Sequence, residues 1–139
     1  MWEMVVLSDV CQIDKTKKTS TNIPYVGMEH IESGTGVFLG TLDPSDVKST
    51  TFEFTDNHLL YGRLRPYLNK VLIPNFSGHC SSEVFPILPS DKLDRKYLFY
   101  WFNQPSTIDA IDRTSTGARM PRANMKEVII VLRIRNKTL

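Results

Sequence analysis

The chain has 139 residues, of which 41% are hydrophobic and 23% charged, a composition typical of one globular domain and unlike that of a disordered chain. Its start has no basic segment followed by a long apolar run, so we expect no signal peptide, no membrane span and a cytoplasmic protein. Cys11 and Cys80 match no metal or redox spacing, which predicts free thiols in a reducing compartment.

The net charge of +2 hides an uneven distribution of charge along the chain. Residues 57–80 carry three basic residues and no acidic one, and residues 113–139 carry seven basic residues and one acidic one. Segments of this kind can form a phosphate-binding face in a nearly neutral protein. A charge run is more often a solvated surface, so charge alone does not decide between the two.

The first half of the chain predicts short strands joined by polar turns. Residues 23–26 fit a short strand, and residues 31–38 fit a hairpin around Gly34-Thr35-Gly36. Phe52 and Phe54 alternate with polar neighbours, as in an amphipathic strand.

Residues 58–73, HLLYGRLRPYLNKVLI, are the most informative stretch. Apolar residues flank a break at Arg65-Pro66, and proline cannot donate a hydrogen bond to a central strand ladder. Two strands joined by a proline-containing turn are therefore predicted. Residues 84–88 form a further strand-like run.

Helices are predicted in the last third of the chain. Asp94 fits the N-cap of a helix that Pro105 ends, and a second helical segment restarts at Ser106. A short helix over residues 121–127 and a terminal strand over residues 128–134 complete the prediction. The fold class predicted is α+β, with a twisted, mostly antiparallel or mixed β-sheet core and a few short helices.

We find no pattern of residues that predicts a catalytic centre. The Gly34-Thr35-Gly36 turn is too short to be a nucleotide-binding fingerprint, and Ser81-Ser82-Glu83 lacks the glycine elbow of a serine nucleophile. Asp46-x-Lys48 and Asp94-x-Lys96 match only part of a nuclease metal site. Zinc-ligand spacing is lacking for each of His30, His58 and His79. We predict a protein that is not an enzyme, with no metal and no cofactor.

Two stretches have the residue types that bind a nucleic acid. Residues 61–70 interleave tyrosine with arginine and lysine over a glycine and proline turn. Arginine can pair with guanine edges or phosphates, and tyrosine can bind phosphate or pack on sugar, although tyrosine is also common in cores. Residues 114–124 are small and polar, contain Arg119 and Arg122, and lead into a helix start, which suits phosphate contacts. An ordinary loop and cap would have a similar composition.

These two stretches resemble the target-recognition domain of the specificity subunit of type I restriction–modification systems. The resemblance extends up to about Val128, and its pieces are Trp2-Glu3, residues 7–11, residues 23–26, residues 60–70, residues 78–83, Tyr97-Leu98 and residues 117–122. Residues 60–70 and 117–122 are its most specific parts. The early loop Lys15-Thr16-Lys17-Lys18-Thr19 lacks the glycine frequent in the family, and Asp56-Asn57-His58 stands where the family often has Gly-Asp.

The resemblance implies that the domain supplies sequence discrimination and no bond-making chemistry. In that family, specificity subunits usually carry two recognition domains, each followed by a long spacer helix. They dock methyltransferase subunits, which bring S-adenosylmethionine, and a separate restriction subunit translocates and cuts DNA. Residues 130–139 do not resemble the proline-rich turn and spacer helix that follow in the family.

The sequence therefore predicts one DNA target-recognition domain over residues 1–130, with an atypical C-terminal tail over residues 131–139 and no spacer helix. The expected partners are double-stranded DNA and the methyltransferase and restriction subunits, with no membrane, and the chain as a monomer or weak dimer. A docking module for a methyltransferase subunit and a small metal-dependent nuclease remain as alternatives. The DNA-binding residues predicted are Tyr61, Arg63, Arg65, Tyr67, Lys70, Arg119, Arg122, Asn124, Lys15, Lys17 and Lys18.

Overall fold

The structure is a computed structural model that describes residues 2–18, 23–40 and 50–137, with only the backbone for Trp2, Lys18 and Lys137. Ten strands and three α-helices lie in these ranges, so the predicted α+β class is confirmed. The strands are β1 Trp2–Val6, β2 Cys11–Ile13, β3 Lys17–Lys18, β4 Tyr25–Val26, β5 Thr51–Phe54, β6 Leu59–Gly62, β7 Val71–Leu72, β8 Gly78–Cys80, β9 Val84–Pro89 and β10 Arg133–Lys137. The helices are α1 Arg95–Phe102, α2 Pro105–Asp112 and α3 Met125–Val131.

The strands form three sheets. An antiparallel sheet has the order β2-β9-β6-β7, and a mixed sheet has the order β3-β5-β8-β4, in which β4 and β8 are parallel. The first and last strands, β1 and β10, pair antiparallel as a separate ribbon, with Val5 opposite Ile134. The predicted mixture of antiparallel and mixed pairing is therefore present.

Strand β6 separates two hydrophobic cores. Leu59 and Tyr61 point into a core shared with the three helices, whereas Leu60 points into a second core shared with β4, β5 and β8. Successive side chains of a strand point to opposite faces, so a strand buried on both faces is apolar at every position. This is why the Leu59-Leu60-Tyr61 run shows no polar alternation.

The predicted proline-containing turn between two strands is confirmed. β6 and β7 pair antiparallel, with Leu60 opposite Leu72, and a short 3-10 turn, Pro66–Leu68, lies between them. The predicted helix after Asp94 is also present as α1. Asp94 is its N-cap, since its carboxylate accepts a hydrogen bond from the backbone N–H of Lys96 at 3.2 Å. Pro105 does not simply end this segment, since it is the first residue of α2.

The predicted ends of the chain's last two elements are wrong. The helix begins at Met125 rather than Pro121, because Arg122 is held in backbone pairing and Asn124 caps the helix through the N–H of Glu127. It then continues through Val131, where a strand was predicted. Val128 is fully buried against the core, and this packing outweighs the strand preference of a β-branched run.

Both cysteines are free and buried, which confirms the predicted free thiols. Burial raises the pKa of the Cys11 thiol to about 12. Within residues 2–18, 23–40 and 50–137, none of the helices is both long enough and apolar enough to cross a lipid bilayer.

The predicted hairpin over residues 31–38 offers a matched test of packing. Gly34 and Gly36 have nearly equal positive φ values, 76° and 73°, so alanine should strain either backbone by about 1–2 kcal/mol. A Cβ on Gly36 would lie 2.7 Å from the Phe99 ring, whereas one on Gly34 would meet no atom within 4 Å. We expect G36A to lower the free energy of unfolding by about 1–3 kcal/mol more than G34A, as measured by urea denaturation. The Val71 carbonyl, 3.0 Å from the same Cβ, adds to the crowding, so equal losses would show that both neighbours move aside without cost.

Candidate nucleic-acid interface

The two basic stretches predicted from the sequence are joined by backbone hydrogen bonds. The N–H of Arg65 donates to the carbonyl of Pro121 at 2.6 Å, and the N–H of Ala123 donates to the carbonyl of Arg63 at 2.8 Å. Leu64 and Arg122 form an antiparallel bridge between these bonds. Residues 63–65 and residues 121–123 therefore lie side by side, which brings the side chains of Arg63 and Arg122 close together.

A tight hairpin presents the second stretch. Thr116 and Arg122 exchange two backbone hydrogen bonds, of 3.1 and 3.0 Å, and Gly117 has a φ of +104° in the turn between them. A left-handed conformation of this kind favours glycine. Arg119 lies in this turn with an exposed side chain. Its guanidinium has no ion-pair partner within the part of the chain that the structure describes.

A braced turn presents the first stretch. Arg65 and Asn69 both adopt left-handed backbone conformations, with φ of 51° and 49°, on either side of the 3-10 turn. The side-chain amide of Asn69 donates to the side-chain oxygen of Asn103 at 2.9 Å, and the backbone carbonyl of Asn69 accepts from the N–H of Gly34 at 3.1 Å. Tyr67 lies at the tip of this turn with 54% of its surface exposed. Left-handed non-glycine residues persist only where surrounding contacts hold them.

A groove of about 450 Å³, here called the basic groove, lies beside the junction of the two stretches. Its floor includes Phe85, whose ring lies 4.8 Å from the Lys15 ammonium and 4.9 Å from the Arg63 guanidinium. Cations over an aromatic face are attracted by the negative charge density of that face. The basic groove is lined by Ile13, Lys15, Arg63, Phe85, Thr116, Arg122, Ala123, Asn124, Met125, Lys126 and Ile129.

One carboxylate, that of Glu83, bridges two of the groove's arginines. Arg122 Nε donates to both of its oxygens, at 3.0 and 2.8 Å, and Arg63 Nη2 donates to one of them at 3.3 Å. The side chains of Arg63, Arg122 and Glu83 are 30%, 41% and 20% exposed. In the sequence, Glu83 belongs to an incomplete serine motif and to the resemblance over residues 78–83, and neither predicts its contact with the arginines. Phe85 and Lys126 were not predicted as site residues, because no local pattern ties them to the distant arginines.

The structure contradicts the prediction made for Tyr61. It was predicted as a DNA contact, but it is 1% exposed and stacks on Phe102 with ring centroids 4.7 Å apart. Burial raises the pKa of its hydroxyl, and the negative charge of Asp112 raises that pKa further. Its ring is part of the core, so we leave it out of the interface proposed below.

The remaining predicted residues lie in different settings. Lys70 is half-buried, and its ammonium donates to the carbonyl of Met28 at 2.8 Å. Asn124 is exposed at the rim of the basic groove, but its side chain caps α3. Lys17 is exposed on β3 outside the groove lining, and for Lys18 only the backbone is described. The basic groove therefore unites part of the predicted set, namely Lys15, Arg63, Arg122 and Asn124.

The three histidines have structural hydrogen bonds. His30 accepts from the N–H of Gly27 at 2.8 Å, His58 pairs with Asp14 at 3.0 Å, and His79 shares a hydrogen bond with Thr51 at 2.7 Å. Within residues 2–18, 23–40 and 50–137, no three His, Cys, Asp or Glu side chains are grouped as metal ligands would be. Asp46 and Lys48, from the partial nuclease motif, lie outside the described residues.

The fold matches the class of type I specificity subunits. It superimposes on the HsdS subunit from Thermoanaerobacter tengcongensis with a TM-score of 0.78 at 19% identity, covering 99% of this chain and 38% of that one. A chain from a type I restriction–modification complex gives a TM-score of 0.75 at 16% identity over 98% and 38% of the two chains. The S subunit from M. genitalium gives 0.60 at 14% identity over 98% and 34%.

Sequence similarity leads to the same class. The chain is 30% identical over 132 residues to the specificity subunit of the type I restriction enzyme EcoDI from Escherichia coli, which covers 91% of this chain and 29% of that subunit. The chain matches no protein-family model. The predicted resemblance is confirmed: this chain is similar in sequence and in fold to specificity subunits of type I restriction–modification systems. It spans less than a third of the length of the E. coli relative.

The core position of Tyr61 can be tested by two substitutions. Y61A should lower the free energy of unfolding by about 3–5 kcal/mol, because it removes a buried ring stacked on Phe102. Y61F keeps the ring, so it should leave DNA affinity unchanged while Y67A, at the exposed tip, lowers it. Fluorescence anisotropy with a labelled duplex measures both affinities. A loss of affinity with Y61F would return this hydroxyl to the interface.

The carboxyl group of Asp14, which lies shortly before β3, should make the stability of the protein depend on pH. The pKa of the Asp14 carboxyl lies below its usual 3.8, chiefly because the carboxylate accepts a hydrogen bond from the Thr16 hydroxyl. Desolvation by burial opposes this shift, and a hydrogen bond with His58 lowers the pKa further. A lowered folded-state pKa contributes stability above the unfolded-state pKa, and this is lost as pH falls through the folded-state value. The free energy of unfolding should therefore begin to fall as the pH drops below about 5 and keep falling through the folded-state pKa, and D14N should reduce that fall. Urea titrations at each pH would measure this, and parallel curves would contradict it.

Proposed function

We propose that this chain binds double-stranded DNA sequence-specifically, as a target-recognition domain that directs methyltransferase and restriction subunits to one half-site. The observation that carries the proposal is the backbone pairing of residues 63–65 with residues 121–123. It assembles arginines from two distant basic stretches on one surface. The relation to type I specificity subunits supports the same assignment. In this proposal the chain supplies recognition and the other subunits supply the chemistry.

The proposed interface has parts suited to different contacts. Arg119 and Tyr67 are exposed at the tips of two turns, where side chains can reach into a groove or along the backbone of a duplex. Lys15 and Lys126 line the basic groove with exposed ammonium-bearing side chains, which suit phosphate. Phosphate contacts set orientation and affinity, whereas base-edge contacts set specificity.

Arg122 has the geometry to read a base edge. Its Nε is held by Glu83, and its two Nη groups have no hydrogen-bond partner within the described ranges. Two parallel N–H groups of a guanidinium match the O6 and N7 acceptors of guanine in the major groove. The same fork also fits two oxygens of a phosphate. The proposal therefore places Arg122 among the direct contacts, with its base preference to be found by selection.

A docking module for a partner subunit is a second candidate function. The observation that favours it is the outer face of α3, where Ile130 and Val131 are 62% and 54% exposed. Exposed apolar side chains mark protein interfaces more often than DNA interfaces. Binding of a methyltransferase subunit that persists at high salt, without binding of duplex DNA at low salt, would favour this candidate.

Salt dependence and one arginine test the DNA-binding proposal. Anisotropy of a labelled random duplex should show binding at low salt that weakens steeply as salt rises, because phosphate contacts release counterions. If Arg119 contacts a phosphate, R119A should weaken binding to all sequences alike and reduce the slope of log K against log salt by about one.

The matched control is R113A. Arg113 is exposed like Arg119, but it directly follows α2 and pairs with Asp109 of that helix at 2.6 Å, outside the proposed interface. Removing either arginine changes the net charge equally, so a difference between them reports position rather than charge. Equal losses from both variants would show that binding follows overall charge, and absence of salt-dependent binding in the wild-type chain would overturn the proposal.

A further inference from the structure

We propose that Glu83 is a positioning residue for DNA recognition, which holds Arg63 and Arg122 in fixed orientations and keeps their charges from binding phosphate indiscriminately. The inference rests on the DNA-binding function proposed above and assigns a role to an acidic residue inside the basic surface. It begins from the geometry of one carboxylate bound by two guanidinium groups.

Glu83 is itself fixed by its neighbours. It lies in the turn between β8 and β9, where its N–H donates to the Ser81 hydroxyl at 3.1 Å and its carbonyl accepts from the N–H of Arg63 at 2.9 Å. The N–H of Ser81 in turn donates to the carbonyl of Val26 in β4 at 3.0 Å. The carboxylate therefore extends from a turn whose backbone is tied to both four-stranded sheets.

The two arginines are held through different atoms. Arg122 binds both oxygens of Glu83 through Nε, which orients its plane and leaves both Nη groups for another partner. Arg63 uses Nη2, while its guanidinium carbon lies 4.9 Å from the centre of the Phe85 ring. A carboxylate on one side and an aromatic face on the other restrict rotation of a long side chain that would otherwise sample many rotamers.

The same contacts weaken the attraction of the site for any phosphate. Arg63 and Arg122 share one negative charge, so the three side chains carry a net charge of +1 instead of +2. A phosphate bound at the free Nη groups would lie near the Glu83 carboxylate, which is only 20% exposed, and would be repelled by its negative charge. A base edge carries no net charge, so it can accept hydrogen bonds from the same Nη groups without this repulsion. Glu83 therefore favours correct base contacts over general binding, which is how discrimination increases without added affinity.

The test compares E83Q, E83D and the wild-type chain on two duplexes. One labelled duplex is selected by the wild-type chain from a random library, and the other has the same base composition in scrambled order. Anisotropy at several salt concentrations gives the affinity ratio between the duplexes and the slope of log K against log salt. Thermal unfolding reports whether each variant is folded.

E83Q should raise affinity for the scrambled duplex, because two arginines are freed for phosphates. The slope of log K against log salt should steepen by about one to two. The affinity ratio should fall about tenfold or more, within the range expected for one misplaced bidentate contact. E83D keeps the charge but shortens the side chain by one methylene, so it should lower the affinity ratio while leaving the salt slope near that of the wild-type chain.

D109N is the matched control for E83Q. It also removes one negative charge and frees an arginine, Arg113, but these residues lie at the end of α2, away from the proposed interface. It should leave the affinity ratio unchanged. If D109N lowered the ratio as far as E83Q, the effect would belong to net charge and the inference would be wrong.

Other outcomes separate this inference from the proposed function. Parallel losses of affinity for both duplexes in folded E83Q, or a wild-type affinity ratio in E83D, would reduce Glu83 to a structural ion pair while DNA binding stands. If E83Q does not fold, the affinity ratio of E83D tests the inference alone, since this variant keeps the negative charge beside the two arginines. A wild-type chain that binds DNA but selects no preferred duplex would overturn the inference, and one that binds no DNA would overturn both.

Discussion

The backbone pairing between residues 63–65 and residues 121–123 is the constraint on which the candidate site depends. Arg63 follows directly after β6, whose residues are all buried and pack into two cores, so its backbone begins at a strand held on both faces. The second stretch has no strand of its own and takes its position from this edge. Arg63 and Arg122 are therefore placed by backbone pairing next to the core, and sites on rigid elements hold their geometry more closely.

The structure divides the basic side chains into two physical classes. Exposed cations such as Arg119 act through solvent, where salt screens interactions beyond about 8–10 Å. Arg63 and Arg122 are partly buried against Glu83, so their interactions are less screened and depend more on geometry. Arg63 Nε is buried and has no hydrogen-bond partner among the described residues, which adds a desolvation cost that fixed neighbours must offset. The first class suits attraction of a polyanion, and the second suits discrimination among partners.

Local sequence patterns correctly predicted the elements that depend on residues close together in the sequence. The proline turn between β6 and β7, the Asp94 cap and the Gly34-Thr35-Gly36 hairpin each depend on residues a few positions apart, and all three are present. Helix α3 was mispredicted because burial of Val128 is a tertiary effect that outweighs the preference of a β-branched run. Of the site, the sequence indicated the basic stretches but missed Glu83 and Phe85. Residue types predict which groups can bind phosphate, whereas their partners depend on contacts between distant residues.

The braced turn at Arg65 and Asn69 shows how the fold prepares a surface before binding. Two left-handed non-glycine residues each raise the energy of the chain by about 1–3 kcal/mol, so an isolated peptide of this sequence would rarely adopt the turn. Contacts from Asn103, Gly34 and Pro121 hold it in place. Because the backbone is ordered during folding, a partner that binds Tyr67 and Arg65 does not have to order the turn that carries them. The strain in this turn is thus offset by contacts that fix its backbone, and the proposed role of Glu83 applies the same principle to the side chains of two arginines.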